Sequence, residues 1–508
     1  MPPIFRPHLL AAAVVLSTPP ALAQVAQLSW SNGILGEQVD YVLSGDPFQS
    51  YTLIPSLSPG PTPLSILDPQ DDRELCVGIE LGQFWTYGAL DASGQALLTY
   101  AAAISPSLLG TPVYSQFVTW PGNPTKIDEI SNPVSWVLGL AGDVTPAVGE
   151  RQGPIEGHAS TTLVDGRVLL SGGFELAAAT TLDTFELFEP QTQTFVPGVG
   201  TMQHPRSEHS GTLLADGRVL LFGGVDDTGA VVASGDLWDP ATGLAVPIAP
   251  MSTPRVLHTA TLLSDGRVFV AGGVTYFDPA DVFFTLDTAL SSTEIYDPAT
   301  DSWQPGPTLT ERLAHHAASL LASGDVLITG GIEADSLFGF PVLDWTDACV
   351  RYDPVADALV PTAPLLVERA RHAQLTLPDG RAVVTGGEHT VGFELEVLAD
   401  CESYDETSDA WTVEASLNGP RSRHELVDTG TDLVLLGGIS DYDATVPMEI
   451  PDTTIEVASH TLMSWSAPTQ LLETRPRGTA SVFDAGLRVL VTGSPDSGLG
   501  GSVEIFVP

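Results

Sequence analysis

The chain has 508 residues, 63 of them acidic and 19 basic, and carries a formal net charge of −44. One lysine, Lys126, and eighteen arginines leave no basic surface for nucleic acid or an anionic membrane, which excludes both as partners. Three cysteines, with no metal-like spacing among them, exclude a disulfide framework or a zinc module as what holds the fold.

In chain order, the first element is a secretory signal over residues 1–23. Arg6 precedes an apolar stretch from Leu9 to Leu16, and Ala21-Leu22-Ala23 is a small-residue cleavage site. The apolar run is too short to span a bilayer, and no later stretch is long and apolar enough to do so. The mature chain is therefore expected to start after Ala23 and to be exported, to periplasm, medium or cell surface. The residue directly after the cut is Gln24 and not a cysteine, so a lipid anchor is not indicated. Residues 24–140 alternate apolar and polar residues among frequent Gly, Pro and Asp. They predict one small β-rich domain of sandwich type, with a junction near 131–142. Carbohydrate or surface attachment is one role for it, a folded spacer another.

From 141 to 508 one pattern recurs seven times. Each copy opens with a short strand led by histidine, then an Asp-Gly turn, a second apolar strand and a pair of glycines. The histidines are His158, His209, His258, His316, His372 and His424; the seventh copy starts at Gly478, without one. The glycine pairs are Gly172-Gly173, Gly223-Gly224, Gly272-Gly273, Gly330-Gly331, Gly386-Gly387 and Gly437-Gly438. Successive starts lie 51, 49, 58, 56, 52 and 54 residues apart. The second half of each copy sets an acid two residues before an aromatic and an apolar or aromatic residue seven further on. Glu294, Tyr296 and Trp303 are the fullest case; Glu402, Tyr404 and Trp411 match it, as do Glu186, Phe188 and Phe195. An Asp-Gly turn favours a two-residue hairpin, and Asp-Pro a tight turn, because proline fixes φ. Each copy thus reads as four antiparallel strands, a to d, and a period near fifty built from strands means a propeller.

Through the double glycine, the strand-c aromatic and the strand-d tryptophan or its substitute, residues 141–508 resemble the kelch family. The resemblance implies an all-β, seven-bladed propeller; it does not by itself imply an activity. Phe506 falls at the strand-c aromatic position, so the last copy lacks strand d. Residues 143–148 align with the strand d around Thr194, and are expected to close the ring and remove its open edge.

Residues present once per blade sit at equivalent radii. The histidines therefore read as a structural set, without a metal or other cofactor. Arg206, Arg255, Arg312 and Arg421 stand just upstream of them and are matched to the strand-c acids Glu186, Asp236, Glu294, Glu402, Glu456 and Glu504. Blade four departs twice, with Val350 at the acid position and Arg312 displaced by one residue. Cys349 and Cys401 hold one position in neighbouring blades, where side chains point the same way, so free buried thiols are expected; Cys76 lies in the first domain.

By alternation, the a–b and c–d turns share one face and the b–c and d–a loops the other. The second face is expected to be irregular, with long b–c loops at 274–292, 332–348, 388–400 and 439–454. These carry Tyr276, Phe277, Phe283, Phe284, Phe338, Phe340, Trp345, His389 and Tyr442, the candidate ligand-binding residues. The expected function is a secreted or surface binding protein that takes a protein or carbohydrate through this face, with divalent cations to be sought at its acidic loops. The layout also resembles galactose oxidase-type copper-radical oxidases, which would imply an enzyme; but their two-tyrosine, two-histidine, one-cysteine set has no counterpart here. A structural surface protein is the third expectation.

Overall fold

A computed structural model describes residues 26–508, apart from 32–37, 58–61, 64–73, 76–84, 102–111, 121–126, 128–129, 133, 138–143, 148–150, 152, 154, 279–281, 338–339, 393, 444–447, 462–463, 473–478, 484–487 and 494–502. The signal sequence, Cys76, Phe338 and Gly478 lie outside the described residues. The chain divides into two compact units, Met1–Leu138 and Gly139–Pro508.

The first unit is two antiparallel sheets. One joins Gln27–Ser31, Gln38–Ser44 and Gln95–Ala101; the other runs in the order Thr86–Ala89, Ser50–Ser56, Pro112–Trp120, Val134–Val137. Adjacent strand residues point to opposite sides of a sheet. Leu53 and Phe117 therefore meet Leu28, Tyr41 and Leu43 of the other sheet in one core. Their neighbours Ile54 and Val118 pack outward with Leu75 and Ile127. Tyr41 and Ser115 share a hydrogen bond of 2.9 Å between the sheets, which satisfies a buried phenol. This is a sandwich.

The second unit contains, among the described residues, seven four-stranded antiparallel sheets of meander order. Their innermost strands are Ala159–Thr162, Ser210–Leu213, Thr259–Leu262, Ala317–Leu320, Ala373–Thr376, Glu425–Asp428 and Thr479–Phe483. Each packs against the next, and the last returns to the first, so the sheets stand as blades round a closed ring. In blade three the other strands are Val268–Ala271, Thr293–Asp297 and Ser302–Pro305. Val144–Pro146 pairs with Glu504–Phe506, with Val144 opposite Phe506, and supplies the outer strand of the last blade.

Strand b of each blade is apolar because both of its faces are covered. All four residues of Val168–Ser171, Val219–Phe222, Val268–Ala271, Val326–Thr329 and Ala382–Thr385 are buried. A strand sandwiched by neighbours loses the alternation seen at a solvated face. Between blades two and three, for example, Leu220, Phe222 and Leu237 meet Val268, Val270 and Tyr296. Each such side chain contributes about 1.5–3 kcal/mol on burial.

Three local expectations are corrected. The Asp-Gly turns are three-residue hairpins rather than two-residue ones. In blade one Gly166 N donates to Leu163 O (3.0 Å) and Leu163 N to Arg167 O (2.8 Å), and Gly166 takes a φ of +87°. Asp165 keeps negative φ because its carboxylate is engaged with the Arg167 amide (3.1 Å) and guanidinium (2.7 Å), which fixes a type I turn with a glycine bulge. Second, the b–c loops of blades four to six are ordered hairpins: Ile332–Leu337 with Phe340–Trp345, Glu388–Val391 with Glu394–Val397, and Ile439–Asp443 with Met448–Pro451. Third, the b–c loop of blade three holds a short helix, Val282–Asp287.

Candidate functional site

Six of the seven blade seams are locked by a repeated histidine. In blade three, His258 Nε2 hydrogen-bonds to Ser210 of blade two (2.8 Å), and its ring stacks on Phe222 at 5.2 Å. His209 reaches Ser171, His316 Thr259, His372 Thr329 and His424 Thr385 in the same way, and His158 reaches Thr492 across the closure. The glycine pair lies between two of these rings. A Cβ on Gly272 would come within 2.8 Å of His316 Cε1 and 2.5 Å of Leu313 O; one on Gly273 would meet His258 Cβ at 2.9 Å. Both glycines also take positive φ, +59° and +89°. Burial pushes the imidazoles of His258 and His424 down to about 3 and of His316 to about 4, helped by the neighbouring guanidiniums. They are therefore neutral wedges. Nδ1 of His209, His258, His316, His372 and His424 has no hydrogen-bond partner among the described residues, and packs at the glycine bend.

The arginines and strand-c acids form a second buried layer. Arg206 Nη2 donates to Asp236 (3.0 Å), Arg255 to Glu294 (2.7 Å), and Arg421 to Glu456 (2.6 Å). Arg255 Nη1 also donates to the carbonyls of Gly272 (2.8 Å) and Ser292 (3.1 Å), while the second Glu294 oxygen accepts from Ser252 N (2.7 Å). Two partners escaped the sequence reading: Arg369 serves Glu402 (2.5 Å) and Arg151 serves Glu186 (2.7 Å). In blade four, where Val350 replaces the acid, Arg312 instead donates to Ala334 O (2.7 Å) and Asp287 O (2.8 Å).

Above these layers the loop face opens into a cavity of about 490 Å³ on the ring axis. Its mouth is set by the residue just before each repeated histidine. Gly157, Glu208, Leu257, His315, Arg371 and Arg423 occupy this position, and all take φ between +53° and +60°. Backbone bonds join neighbours there: Glu208 N to Gly157 O (2.7 Å), Arg371 N to His315 O (3.0 Å) and Arg423 N to Arg371 O (2.8 Å). A left-handed conformation costs a side-chain-bearing residue about 1–2 kcal/mol. Five of the six described positions accept that cost, and each bears a different chemistry or a cation. Arg371 pairs with the buried Glu388 and donates to His315 Nε2 (3.1 Å). Burial, then the charges of Arg371 and Arg423, hold His315 well below the usual histidine range. Phe277, Asp278, Thr285 and Leu286, from the helix-bearing loop of blade three, form part of the wall. Glu425 also faces the cavity, and burial raises its carboxyl to about 7.

Of the predicted loop residues, Tyr276 and Phe284 are exposed, 41% and 60%, and meet edge to face with centroids 5.6 Å apart. Trp345 and Phe277 were expected to be exposed. They are half-buried against Val225, Val256, Leu286 and Ile332, because the b–c hairpins fold onto the ring and need a core of their own. His389 lies 3.6 Å from Glu368 and 3.9 Å from Glu396. The side chains of Phe283, Phe340 and Tyr442 lie outside the described residues, as does Phe338. The mouth residues were missed by sequence reading; the signal available was their fixed place, one residue ahead of each histidine.

The donor set does not fit a tyrosine–histidine–cysteine copper site. Nε2 of each of the six repeated histidines is engaged by a hydroxyl, and His315 Nε2 accepts from Arg371. Tyr296, Tyr352 and Tyr404 donate their phenols to Asp301, Asp357 and Asp409 in the c–d turns, on the face opposite the cavity. Cys349 and Cys401 are free and buried, and burial pushes both thiols up to about 12. Among the described residues no group of three or more His, Cys, Asp and Glu side chains could hold a metal ion.

Comparison with known proteins agrees with this architecture. A model of the Kelch motif matches residues 255–310. The chain is 26% identical to alpha-scruin of Limulus polyphemus over 162 residues, which is 31% of this chain and 16% of that protein. It is 29% identical to the F-box/kelch-repeat protein SKIP30 of Arabidopsis thaliana over 148 residues, 27% of this chain and 37% of that one. The chain thus spans well under half the length of either relative. Among solved structures, a fungal alcohol oxidase of the AA5 family, in complex with copper, superposes with a TM-score of 0.55 at 16% identity, over 72% of this chain and 76% of its own. A second, the structure of YjhT, gives 0.47 at 14% identity, over 63% of this chain and 99% of that one.

Proposed function

We propose, from the premise that this chain is a kelch-repeat protein, that it is an exported interaction protein whose loop face takes a protein partner. Kelch repeats build interaction propellers, and the observation that carries the reading here is the asymmetry of the two faces. The turn face repeats one hairpin chemistry: Asp165 with Arg167, Asp216 with Arg218, Asp265 with Arg267 and Asp379 with Arg381. A surface that repeats itself offers little to discriminate partners. Among the described residues the loop face is not uniform: blade three carries a helix and blades four to six carry hairpins of different length and sequence, and the Tyr276–Phe284 pair is presented to solvent. Aromatic side chains give large contact area at low entropy cost and dominate recognition surfaces. Export is supported by the composition of residues 1–23.

The test is a photo-crosslinking amino acid placed in the full chain at position 284 or at position 265, with the adducts identified in the producing organism. Protein adducts at 284 and none at 265 are expected. Adducts confined to 265 would reverse the two faces, and adducts of glycan alone would replace the protein partner with a carbohydrate. Sequencing the amino terminus of the mature protein checks export: it should begin at Gln24.

A further inference from the structure

The second sheet of the first unit turns an aromatic strip to solvent. Its four strands, Thr86–Ala89, Ser50–Ser56, Pro112–Trp120 and Val134–Val137, contain no Asp, Glu, Lys or Arg, in a chain with 63 acidic residues. Tyr87 stands opposite Thr52, and Trp120 opposite Ser50, so both side chains leave the sheet on the side away from the sandwich core. Trp85, two residues before Tyr87, packs on that same side. Leu75 and Ile127 cover the part of the face built on Ile54 and Val118. The rest is open. Ser50 and Ala89, paired across two strands, are exposed and leave a shallow floor beside the rings. Trp120 Nε1 donates to Thr52 Oγ1 at 2.9 Å, which holds the indole across the middle strand, where Thr52 is the neighbour of Tyr87. Past Ser50 and Ala89 the ladder continues into the turns, where Phe48 N donates to Asp91 O (3.3 Å). Phe48 takes a φ of +63° and is 72% exposed, and Tyr87 is 68% exposed. Among the described residues these are the two most exposed aromatic side chains. Left-handed backbone is costly for a bulky residue, and burial does not repay the cost at Phe48, whose ring stands in solvent.

We propose that this strip binds a neutral polysaccharide, with Tyr87 and Trp120 stacked on sugar rings and Phe48 extending the contact at the strip's end. The face of a sugar ring presents C–H bonds, and an aromatic face is their electrostatic complement, because the ring quadrupole is negative above its plane. The ligand is neutral because no side chain of the sheet can pair with a carboxylate, sulfate or amine, and covering an unpaired charge is costly. The Ser50 hydroxyl, exposed on the floor, can donate to and accept from a sugar hydroxyl. A protein partner fits less well: Ile54 and Val118 are fully buried beneath the rings, so the surface lacks the aliphatic part of an interface core. Trp85 and Tyr87 are about 7 Å apart along one strand, and Trp120 lies two strands across, about 10 Å, which suits a chain of sugars better than a single one. The strip belongs to the first unit and the Tyr276–Phe284 surface to the second, so the failure of either reading leaves the other standing.

The experiment is affinity electrophoresis of the full chain through gels that each hold one polymer: hydroxyethylcellulose, xylan, galactomannan or dextran, with polygalacturonate as the charged control. Retardation by at least one neutral polymer, and none by polygalacturonate, is expected. Tyr87→Ala should weaken binding of the retarding polymer by about tenfold, and Tyr87→Phe, which keeps the ring, should retain it. Phe48→Gly removes a ring and relieves the left-handed backbone, so its melting temperature should hold or rise while retardation falls; this variant separates binding from folding. Phe284→Ala should change nothing. Passage unretarded through all four neutral gels overturns the proposal, as does tighter binding of polygalacturonate. So does retardation that survives both Tyr87→Ala and Phe48→Gly, or a dimer in sedimentation that Tyr87→Ala dissolves, which would make a second copy of the chain the occupant of the strip.

Discussion

At the scale of single residues, the seams are where sequence and energy meet. His258 fills a pocket made by Phe222, Ser210 and Gly223 of the preceding blade. His258→Ala removes both a hydrogen bond and a stacked ring, and leaves the Ser210 hydroxyl without its partner. A loss of about 1–3 kcal/mol is expected, measured by chemical denaturation. An undiminished midpoint would show that the seam does not depend on it. The same rings set the acid limit. His209, His258, His315, His316, His372 and His424 all titrate below their ordinary value in the fold. The unfolded chain takes up their protons near pH 6.5 and the native chain does not. Stability is therefore full above pH 6.5 and falls as pH drops towards 4, by about 1.4 kcal/mol per unit for each group. Glu425, raised to about 7, has the opposite sign: it favours the fold below its unfolded value and loses that contribution as pH rises through 7. Glu189, Asp236, Asp325 and Glu333 are raised by burial in the same sense as Glu425, but the six fully buried rings shift further, so a melting temperature that holds steady from pH 7 to pH 4 would contradict the buried neutral rings. The repeated histidines and glycines were legible because they recur with one identity. Glu208, Leu257, His315, Arg371 and Arg423 were not, because what recurs there is a backbone angle, which no residue type announces.

At the scale of elements, the closing strand is the point most open to test. Val144 pairs with Phe506 and packs with Val489 and Val434, and Ala147 N donates to Val503 O at 2.8 Å. A chain that begins at Gly149 loses these bonds and exposes the edge of Glu504–Phe506. It should melt earlier than one that begins at Gly139, or aggregate; equal melting of the two would sink the closure. This strand was legible because it aligns with its counterparts in other blades. The b–c hairpins were read as loops because their residues do not repeat, although Ile332–Leu337 and Phe340–Trp345 each alternate apolar and polar in part. The helix Val282–Asp287 has six residues, too few for a period of 3.6 to show. Trp345 looked like a contact residue for the same reason: nothing in sequence said that the loop had a core to bury it in.

At the scale of the whole molecule, charge opposes compactness. A formal −44 on 508 residues means that folding brings like charges together, beyond what the buried arginine–acid pairs offset. Salt screens exposed charges over about 8–10 Å at 0.1–0.15 M and acts little on buried pairs. The melting temperature should therefore rise between 10 and 300 mM sodium chloride, by several degrees, in scanning calorimetry. A fall would mean that partly buried attractive pairs, such as Arg351 with Asp325 and Glu406, matter more than the general repulsion.

The closure also imposes a timetable. Val144–Pro146 leaves the ribosome ahead of every other propeller strand, and its partner Glu504–Phe506 leaves after all of them. The earliest strand must wait, unpaired, through the synthesis of six blades. During that interval the growing arc has two raw ends, and contacts so distant in sequence are slow to form. Once shut, the ring ties the two extremes of the propeller to each other, so fraying from either end must first break the same three-residue ladder.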